Sequence, residues 1–498
     1  MEILTGLTNV LSDPSLILAV LAAAVIGMLV GAIPGLTASA AIAMLVPLTF
    51  FMEPLFALAF LYVIGKSGRY GGSIAAILFN TPGTAASAAT RIDGHPLARQ
   101  GKAGKALKVA TLASVVGDTI GELLLIFGVG MIAALALMLG PPELFAIYAA
   151  AFVVIGAVIG QSVIKGLASA ALGVLLRMVG LDPISAEERF TFGQIELADG
   201  IGLVPLMIGV FVLGEVFSQL ETKAKKVDET FTPPLGDDRL TLAECRRCLP
   251  HVLRSSVIGS AIGILPGLGS TVAAFVAYGE GKRRDNDPDR WGKGAIEGVA
   301  APEAANNAVS GPSMAPLLTL GIPGSTIGAI LIGVFLIHGI QIGPTLFLTS
   351  RDLVYSLFAA GLLGIAAYGL IGYFAAAKIG RLIHRLPTDL LYPMIFLTAF
   401  VAAYATRGSL FDVLVMVLAG FGGWLMQRTG LNTAALVIAF VLAGGAEEAF
   451  RQSLLLSDDG IMIFLERPIA LAFLLLGLIA LVLRSISMAK ERRVTARV

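Results

Sequence analysis

Long apolar runs follow one another along almost the whole chain, separated by short polar connections. Many of them approach the roughly 20 residues that an α-helix needs to cross the hydrocarbon core of a bilayer. Others are too short or too interrupted to cross alone. The pattern therefore predicts an all-α polytopic membrane protein with about ten to twelve transmembrane helices, plus re-entrant hairpins or half-helices.

Four Pro-Gly dipeptides interrupt these runs, and the residues around them are similar in pairs. GAIPGLTASA (31–40) resembles GILPGLGSTV (263–272), and NTPGTAASA (80–88) resembles GIPGSTIGA (321–329). The members of each pair lie about half the chain apart. We therefore expect two sequence repeats with broken helices, arranged as inverted repeats.

Each Pro-Gly removes a backbone donor and permits a sharp turn. Broken backbone survives in lipid only where protein, water or a ligand meets it. A single Pro-Gly is typical of an ordinary kink or of a turn at a helix end. Four in matching positions instead indicate the binding site of a transporter.

The composition agrees with a membrane setting. Hydrophobic residues make up 56% of the chain and charged residues 14%, with a mean hydropathy of +0.87, whereas a soluble domain carries about 25% charged residues. The formal net charge of +1 gives no indication of a nucleic-acid partner.

The polar stretch 221–254 divides the chain into a first membrane half, 1–220, and a second, 255–498. About 34 residues are too few for a sizeable core, so the stretch is interpreted as a cytoplasmic linker. Both flanks of residues 251–293 are basic. This favours a hairpin at 255–278 that enters the membrane and returns, over the alternative that one flank is external.

Basic residues crowd the connections 91–108 and 378–385 and the C-terminal tail 484–497, which predicts that all three are cytoplasmic. The acidic connection 182–199 is expected outside.

Asp118 and Glu122 are four residues apart in an apolar run, so both carboxylates should lie on one helix face. They could bind a proton or sodium ion, they could face a lysine or arginine of a neighbouring helix, or they could lie near the membrane surface. Lys66 and Arg69 could meet a carboxylate substrate, but a basic cytoplasmic loop between two apolar pieces is the favoured interpretation.

The run APEAANNAVSGPSMAP precedes the fourth Pro-Gly and supplies Glu303, Asn306, Asn307, Ser310 and Ser313. Adjacent asparagines in so apolar a setting suggest ligands for a carboxylate or Na⁺. Helix capping is the alternative.

Three blocks carry a family resemblance: GAIPGLTASAAIAMLVPLTF, YGGSIAAILFNTPGTAASAATRIDGHPLARQGKAGKAL and EAANNAVSGPSMAPLLTLGIPGS. They resemble the large membrane subunit of tripartite tricarboxylate transporters. The resemblance implies a multi-pass protein of the bacterial inner membrane. Its implied partners are a periplasmic solute-binding protein and a small membrane subunit, and it implies carboxylate uptake driven by a gradient of Na⁺ or H⁺. Substrates in this family extend from citrate to other carboxylates and aromatic acids.

For the carboxylate substrate that the resemblance implies, half-helix N-termini at the breaks would face the substrate at mid-membrane. The residues expected to bind substrate are Thr37, Ser39, Asn80, Thr81, Pro82, Gly83, Thr84, Ser270, Thr271, Asn306, Asn307, Pro323, Gly324, Ser325 and Thr326. The residues expected at the coupling ion are Gly35, Gly267, Asp118 and Glu122. Alternating access would move this core as a rigid body.

Two other classes of function compete with a transporter. An ion or solute channel would also use broken helices but would need no binding protein. An enzyme would need a catalytic constellation, and the four histidines are scattered without a known motif. Cys245 and Cys248 lack the second pair that a zinc site requires. We therefore expect a transporter with no cofactor beyond its coupling ion, and no enzymatic activity.

Overall fold

The computed structural model describes residues 2–33, 36–158, 162–182, 185–222, 238–384 and 388–495. These segments are built almost entirely from α-helices. Their only strands are β1 (Gly180–Leu181) and β2 (Glu188–Arg189), which pair antiparallel. The predicted all-α class is confirmed.

The first half contains ten helices within the described residues. They are α1 (Glu2–Ser12), α2 (Pro14–Ala32), α3 (Ala38–Leu45), α4 (Pro54–Phe79), α5 (Ser87–Leu97), α6 (Ala103–Ala136), α7 (Pro141–Val158), α8 (Val163–Arg177), α9 (Leu203–Met207) and α10 (Gly214–Thr222). Short 3-10 or π segments lie at Val46–Phe51, Ala98–Lys102, Ile195–Leu197 and Ile208–Leu213.

The second half contributes twelve helices in the part that the structure describes. They are α11 (Leu242–Ile264), α12 (Gly269–Arg284), α13 (Ile296–Ala308), α14 (Met314–Leu320), α15 (Thr326–Ile337), α16 (Leu346–Thr349), α17 (Arg351–His384), α18 (Thr388–Arg407), α19 (Leu410–Thr429), α20 (Thr433–Leu455), α21 (Ile463–Glu466) and α22 (Pro468–Thr495). Turns of 3-10 helix lie at Pro288–Arg290 and Gly460–Met462.

Seven helical segments among the described residues are long and apolar enough to cross a membrane. They are Pro14–Ala32, Ser87–Ala136, Leu203–Glu221, Arg351–Ile383, Leu410–Thr429, Thr433–Leu455 and Pro468–Ile486. Shorter apolar helices lie at Ala38–Phe51, Pro141–Ala157 and Thr326–Ile337. The polytopic membrane class is therefore confirmed, while a total of ten to twelve spans stays a prediction.

Each of the three Pro-Gly dipeptides that the structure describes lies between two helices. Pro82-Gly83 lies between α4 and α5, Pro266-Gly267 between α11 and α12, and Pro323-Gly324 between α14 and α15. Pro34-Gly35, including the predicted ion-site residue Gly35, lies outside the described residues. Three broken helices thus agree with the sequence prediction.

The polar stretch 221–254 is described in part. Helix α10 ends at Thr222, and α11 begins at Leu242 behind a capping box between Thr241 and Glu244. Helix α11 then continues without a break past residue 254 to Ile264. It packs against α12 across Pro266-Gly267, as the predicted hairpin requires.

The predicted basic loop at Lys66 and Arg69 is wrong. Both residues lie in the interior of the 26-residue helix α4, where Lys66 is fully buried and Arg69 is 7% exposed. Helix α4 continues through these charges because its small residues let other helices approach closely. It packs along α2, and it also contacts α5, α6 and α17.

The helices that follow the breaks contact partners from the other half of the chain. Helix α3, after the first Pro-Gly, contacts α15, after the fourth. Helix α5, after the second, contacts α12, after the third. Helix α13 of the second half packs against α4, α5 and α6 of the first. The helices that follow the breaks therefore belong to one core that both halves build.

Candidate functional site

Two polar faces meet at the centre of this core. Helix α4 carries Lys66, Arg69 and Ser73 at helical spacing, and α6 carries Ser114, Asp118 and Glu122 at intervals of four residues. All except Arg69 are fully buried. Charged groups inside a membrane are costly, so such a set indicates a functional site.

The central ion cluster is formed by Lys66, Asp118 and Glu122, with Tyr62 and Tyr368. Lys66 Nζ lies 2.6 Å from Asp118 Oδ1 and 2.8 Å from Glu122 Oε2. Tyr62 donates its hydroxyl to Glu122 Oε2 at 2.7 Å, and Tyr368 donates to Asp118 Oδ2 at 3.1 Å. The lysine thus stands between the two carboxylates, where it cancels their mutual repulsion.

Asp118 and Glu122 face a lysine of a neighbouring helix, Lys66, as one of the sequence interpretations predicted. Lys66 lies at hydrogen-bond distance from both carboxylates. It supplies the positive charge that a bound cation would otherwise supply. A coupling-ion role for this pair stays a prediction.

Arg69 lies one turn along α4 from Lys66 and lines a small cavity of about 10 Å³, which is room for about one water molecule. Its Nη1 is buried and has no hydrogen-bond partner among the described residues. Ser310, Ser313 and Ser325 line the same cavity, as do Ile327 and Gly328 in the first turn of α15. A buried guanidinium with a free donor, facing hydroxyls and a helix N-terminus, suits an anionic ligand.

A second buried cluster, the Glu303 cluster, consists of Glu303, Ser73, Thr90, Ser114 and Asn307. Glu303 Oε1 accepts hydrogen bonds from the hydroxyls of Ser73 and Thr90. Its Oε2 accepts a third from Ser114, at 2.9 Å. Asn307 donates its amide to Ser114 Oγ, also at 2.9 Å. All of these side chains are fully buried.

Asn306 and Asn307 are not helix caps, because both lie inside α13 with exposures of 1% and 0%. Among the residues that the structure describes, neither Oδ1 has a hydrogen-bond partner, and the Nδ2 of Asn306 also lacks one. The capping alternative is therefore wrong for these two residues.

Other predicted residues do cap helices. Thr37 accepts the backbone N–H of Ala40 and lies 3.0 Å from the hydroxyl of Ser39. Ser325 accepts the N–H of Gly328 at the start of α15. Thr84 exchanges hydrogen bonds with Ser87. These contacts occupy part of each side chain's hydrogen-bonding capacity without excluding a ligand.

The remaining predicted residues occupy varied positions. Asn80 is exposed at a left-handed C-cap of α4 (φ 58°), while the hydroxyl of Thr81 is buried without a partner. Ser270 and Thr271 lie half-buried in the first turn of α12, and Thr326 starts α15. None of these lines the Arg69 cavity in the described structure.

The glycines at the breaks mediate close backbone packing. Gly267, at φ 81°, donates its N–H to the carbonyl of Gly324 at 3.4 Å, which joins the third and fourth breaks. Gly83 donates to the carbonyl of Gly72 at 3.2 Å, and a Cβ there would lie 2.9 Å from Gly72 Cα. Pro82 and Pro323 precede these glycines in the two turns.

Sequence reasoning missed Ser73, Thr90 and Ser114 as partners of Glu303, and Tyr62 and Tyr368 as partners of the acids. Ser114 precedes Asp118 by four residues, so helical spacing from the acids would have found it. Thr90 and Tyr368 come from distant helices, for which the sequence gives no signal.

Comparison with known proteins now bears on this arrangement. Residues 17–438 match the model of the tripartite tricarboxylate transporter TctA family, which includes every residue of both clusters and of the Arg69 cavity. The chain belongs to this family. The resemblance inferred from the three sequence blocks is confirmed.

Two proteins of Agrobacterium vitis are similar to this TctA-family chain. An uncharacterised 52.8 kDa protein in the TAR-I ttuC' 3' region is 37% identical over 473 residues, covering 94% of this chain and 93% of that protein. An uncharacterised protein in the TAR-II ttuC' 3' region is 34% identical over 240 residues, covering 47% of this chain and 97% of that protein.

Proposed function

We propose that this protein is the permease subunit of a tripartite, binding-protein-dependent secondary transporter, and that it imports tricarboxylates or related carboxylates. Membership of the TctA family supports the tripartite system. The observation that carries the proposal is the buried Nη1 of Arg69, which has no hydrogen-bond partner in the described part of the chain and lies in a cavity beside the fourth break.

The Arg69 cavity offers the chemistry that a carboxylate needs. A guanidinium presents two parallel N–H donors to the two oxygens of a carboxylate. Serine hydroxyls add neutral donors, and the N-terminus of α15 contributes its positive dipole end. In this proposal Arg69 and Ser325 bind one carboxylate, with Ser310 and Ser313 orienting the rest of the substrate.

The broken helices supply the means of alternating access. The substrate binds at the breaks, where both halves meet. Movement of one group of helices against the rest then exposes the site to one side of the membrane or the other. A periplasmic binding protein delivers the substrate, a small membrane subunit completes the permease, and a Na⁺ or H⁺ gradient drives uptake. The protein lies in the bacterial inner membrane with a cytoplasmic C-terminus.

Reconstitution tests the proposal against the channel alternative. The chain and its small subunit are placed in liposomes, and uptake of radiolabelled citrate is measured with and without the binding protein and a cation gradient. We expect uptake only when both are present. Flux down the substrate's own gradient without either, faster than about 10³ per second, would identify a channel instead.

Substitution of Arg69 tests the site itself. Arg69→Gln removes charge-assisted hydrogen bonds worth about 1.5–3 kcal/mol each, so the half-saturating substrate concentration should rise about tenfold to a hundredfold. Arg69→Lys should recover part of this loss by its charge alone. The matched control is Arg254→Gln, since Arg254 also has a buried Nη1 without a partner in the described structure but does not line the cavity. Unchanged saturation in folded Arg69→Gln would remove Arg69 from the site.

A further inference from the structure

The charges of the buried network do not balance. Within the described residues, the two polar faces carry two cations, Lys66 and Arg69, and two carboxylates, Asp118 and Glu122. Helix α13 adds two buried carboxylates, of which Glu297 pairs with Arg247 and Arg290, while Glu303 faces the two polar faces. Lys66 is shared by Asp118 and Glu122. The acid without a cationic partner is Glu303.

Glu303 has only hydroxyl partners in the described part of the chain, namely those of Ser73, Thr90 and Ser114. Neutral hydrogen bonds lower the cost of burying an ionised carboxylate but leave its charge uncompensated. A fully buried carboxylate in this position needs a counter-charge from outside the protein.

A second feature points to a metal cation as that counter-charge. Asn306 and Asn307 follow Glu303 by three and four residues on α13, and each has a buried Oδ1 that accepts no hydrogen bond from the described segments. A proton would need only the carboxylate. Orphaned amide oxygens beside a carboxylate and three hydroxyls form the all-oxygen donor set that hard cations prefer.

We propose that Glu303 binds a Na⁺ ion, with Ser73, Thr90, Ser114 and Asn307 completing an all-oxygen site. A single negative charge and neutral oxygens suit a monovalent ion better than a divalent one. The ion's role in coupling rests on the proposed function. Ser73 shares the α4 face with Arg69, so Na⁺ at Glu303 adds positive charge beside the site where an anionic substrate adds negative charge.

Binding is tested without substrate, binding protein or transport. The purified protein is heated in detergent while NaCl replaces KCl at constant ionic strength, and Tm is recorded. An ion that binds only the folded state raises Tm with its concentration. We expect a rise that saturates with Na⁺ and is absent with K⁺.

Three variants locate the ion. Glu303→Gln should abolish the Na⁺-dependent rise. Thr90→Val and Ser114→Ala should each raise the half-saturating Na⁺ concentration by about tenfold or more, as residues of a metal site typically do. The control is Glu143→Gln, which alters another buried carboxylate, one that accepts the N–H of Gly140.

The outcomes separate this inference from the proposed function. A wild-type protein without a Na⁺-specific rise in Tm overturns the inference, as does an unchanged rise in folded Glu303→Gln. If Glu303→Gln does not fold, unchanged half-saturation in both hydroxyl variants overturns it. A Na⁺-dependent rise in a protein that takes up no carboxylate would leave the ion site standing and reject the transporter proposal alone.

Discussion

Lys66 determines the electrostatics of the core at the scale of single residues. Its ammonium group bridges two carboxylates that would otherwise repel each other on one face of α6, and it lies 4.7 Å from the centre of the Tyr62 ring. Removing one partner of a buried ion pair leaves an uncompensated charge, which costs more than the pair itself contributes. Lys66 is therefore more critical to folding than either acid alone.

Lys66→Met tests this role. We expect the variant to lose about 3–5 kcal/mol of stability, because two buried carboxylates then lack their cation. The loss is detected as a lower Tm in detergent. Adding Glu122→Gln should recover part of the loss, since one negative charge is removed. Lys165→Met is the control, because the Lys165 side chain is exposed and, within the described residues, bonds only the carbonyl of Thr429. Equal losses in Lys66→Met and Lys165→Met would contradict the ion-cluster model.

At the scale of helices, the breaks differ in how tightly they are packed. Gly83 is wedged against the backbones of Gly31 and Gly72, whereas a Cβ on Gly324 would lie 3.2 Å from the Ser313 side chain and 3.4 Å from the carbonyl of Gly263. The second break is thus fixed by contact of backbone with backbone. At the fourth break the nearest atom, Ser313 Cβ, lies 3.2 Å away, so a methyl group there requires a shift of only a few tenths of an ångström.

Alanine substitutions should separate these two breaks. Gly83→Ala should lower Tm and the yield of folded protein, because the new methyl group overlaps rigid backbone. Gly324→Ala should fold nearly as well as wild type and instead alter substrate affinity, since Gly324 adjoins Ser313 in the Arg69 cavity. Tm and the half-saturating substrate concentration, measured for both variants, distinguish the two effects. Similar losses of Tm in both variants would show that packing governs the two breaks alike.

At the scale of the whole molecule, Asp93 joins the two halves. Its Oδ1 accepts the backbone N–H groups of Gly292, Gly294 and Ala295 at 2.8–2.9 Å, and its Oδ2 accepts the hydroxyl of Tyr278. A second link is the 2.8 Å ion pair from Lys105 to Glu244. Partial burial opposes ionisation there, but the hydrogen bonds from Lys105 and Thr241 lower the pKa of Glu244 to about 2. Both links lie where α5 and α6 meet the segments flanking α12 and α13.

Asp93→Ala should loosen this junction. Without the carboxylate, three backbone donors lose their acceptor, so the amides of residues 292–295 should exchange with solvent at least about tenfold faster. Hydrogen exchange followed by mass spectrometry measures this, with the peptide containing Asn432 as an internal reference that should not change. Protection of residues 292–295 equal to that of wild type would show that other contacts hold the segment.

The sequence by itself determined the class of protein and the positions of its breaks. Apolar length, low charge and Pro-Gly placement are local properties, so they could be interpreted without knowing which helices touch. The placement of Asp118 and Glu122 on one face followed from helical period alone, and the family followed from three blocks of sequence.

Tertiary structure decided what the charged and polar residues do. Lys66 and Arg69 looked like a loop because isolated charges rarely lie in an apolar helix, and only the approach of α6 supplied the carboxylates that make Lys66 stable there. Glu303 was visible in the sequence, but its hydroxyl partners come from α4, α5 and α6, some 190 to 230 residues away. Which buried charge is compensated depends on distances of a few ångströms between helices remote in sequence, and no local pattern encodes those distances.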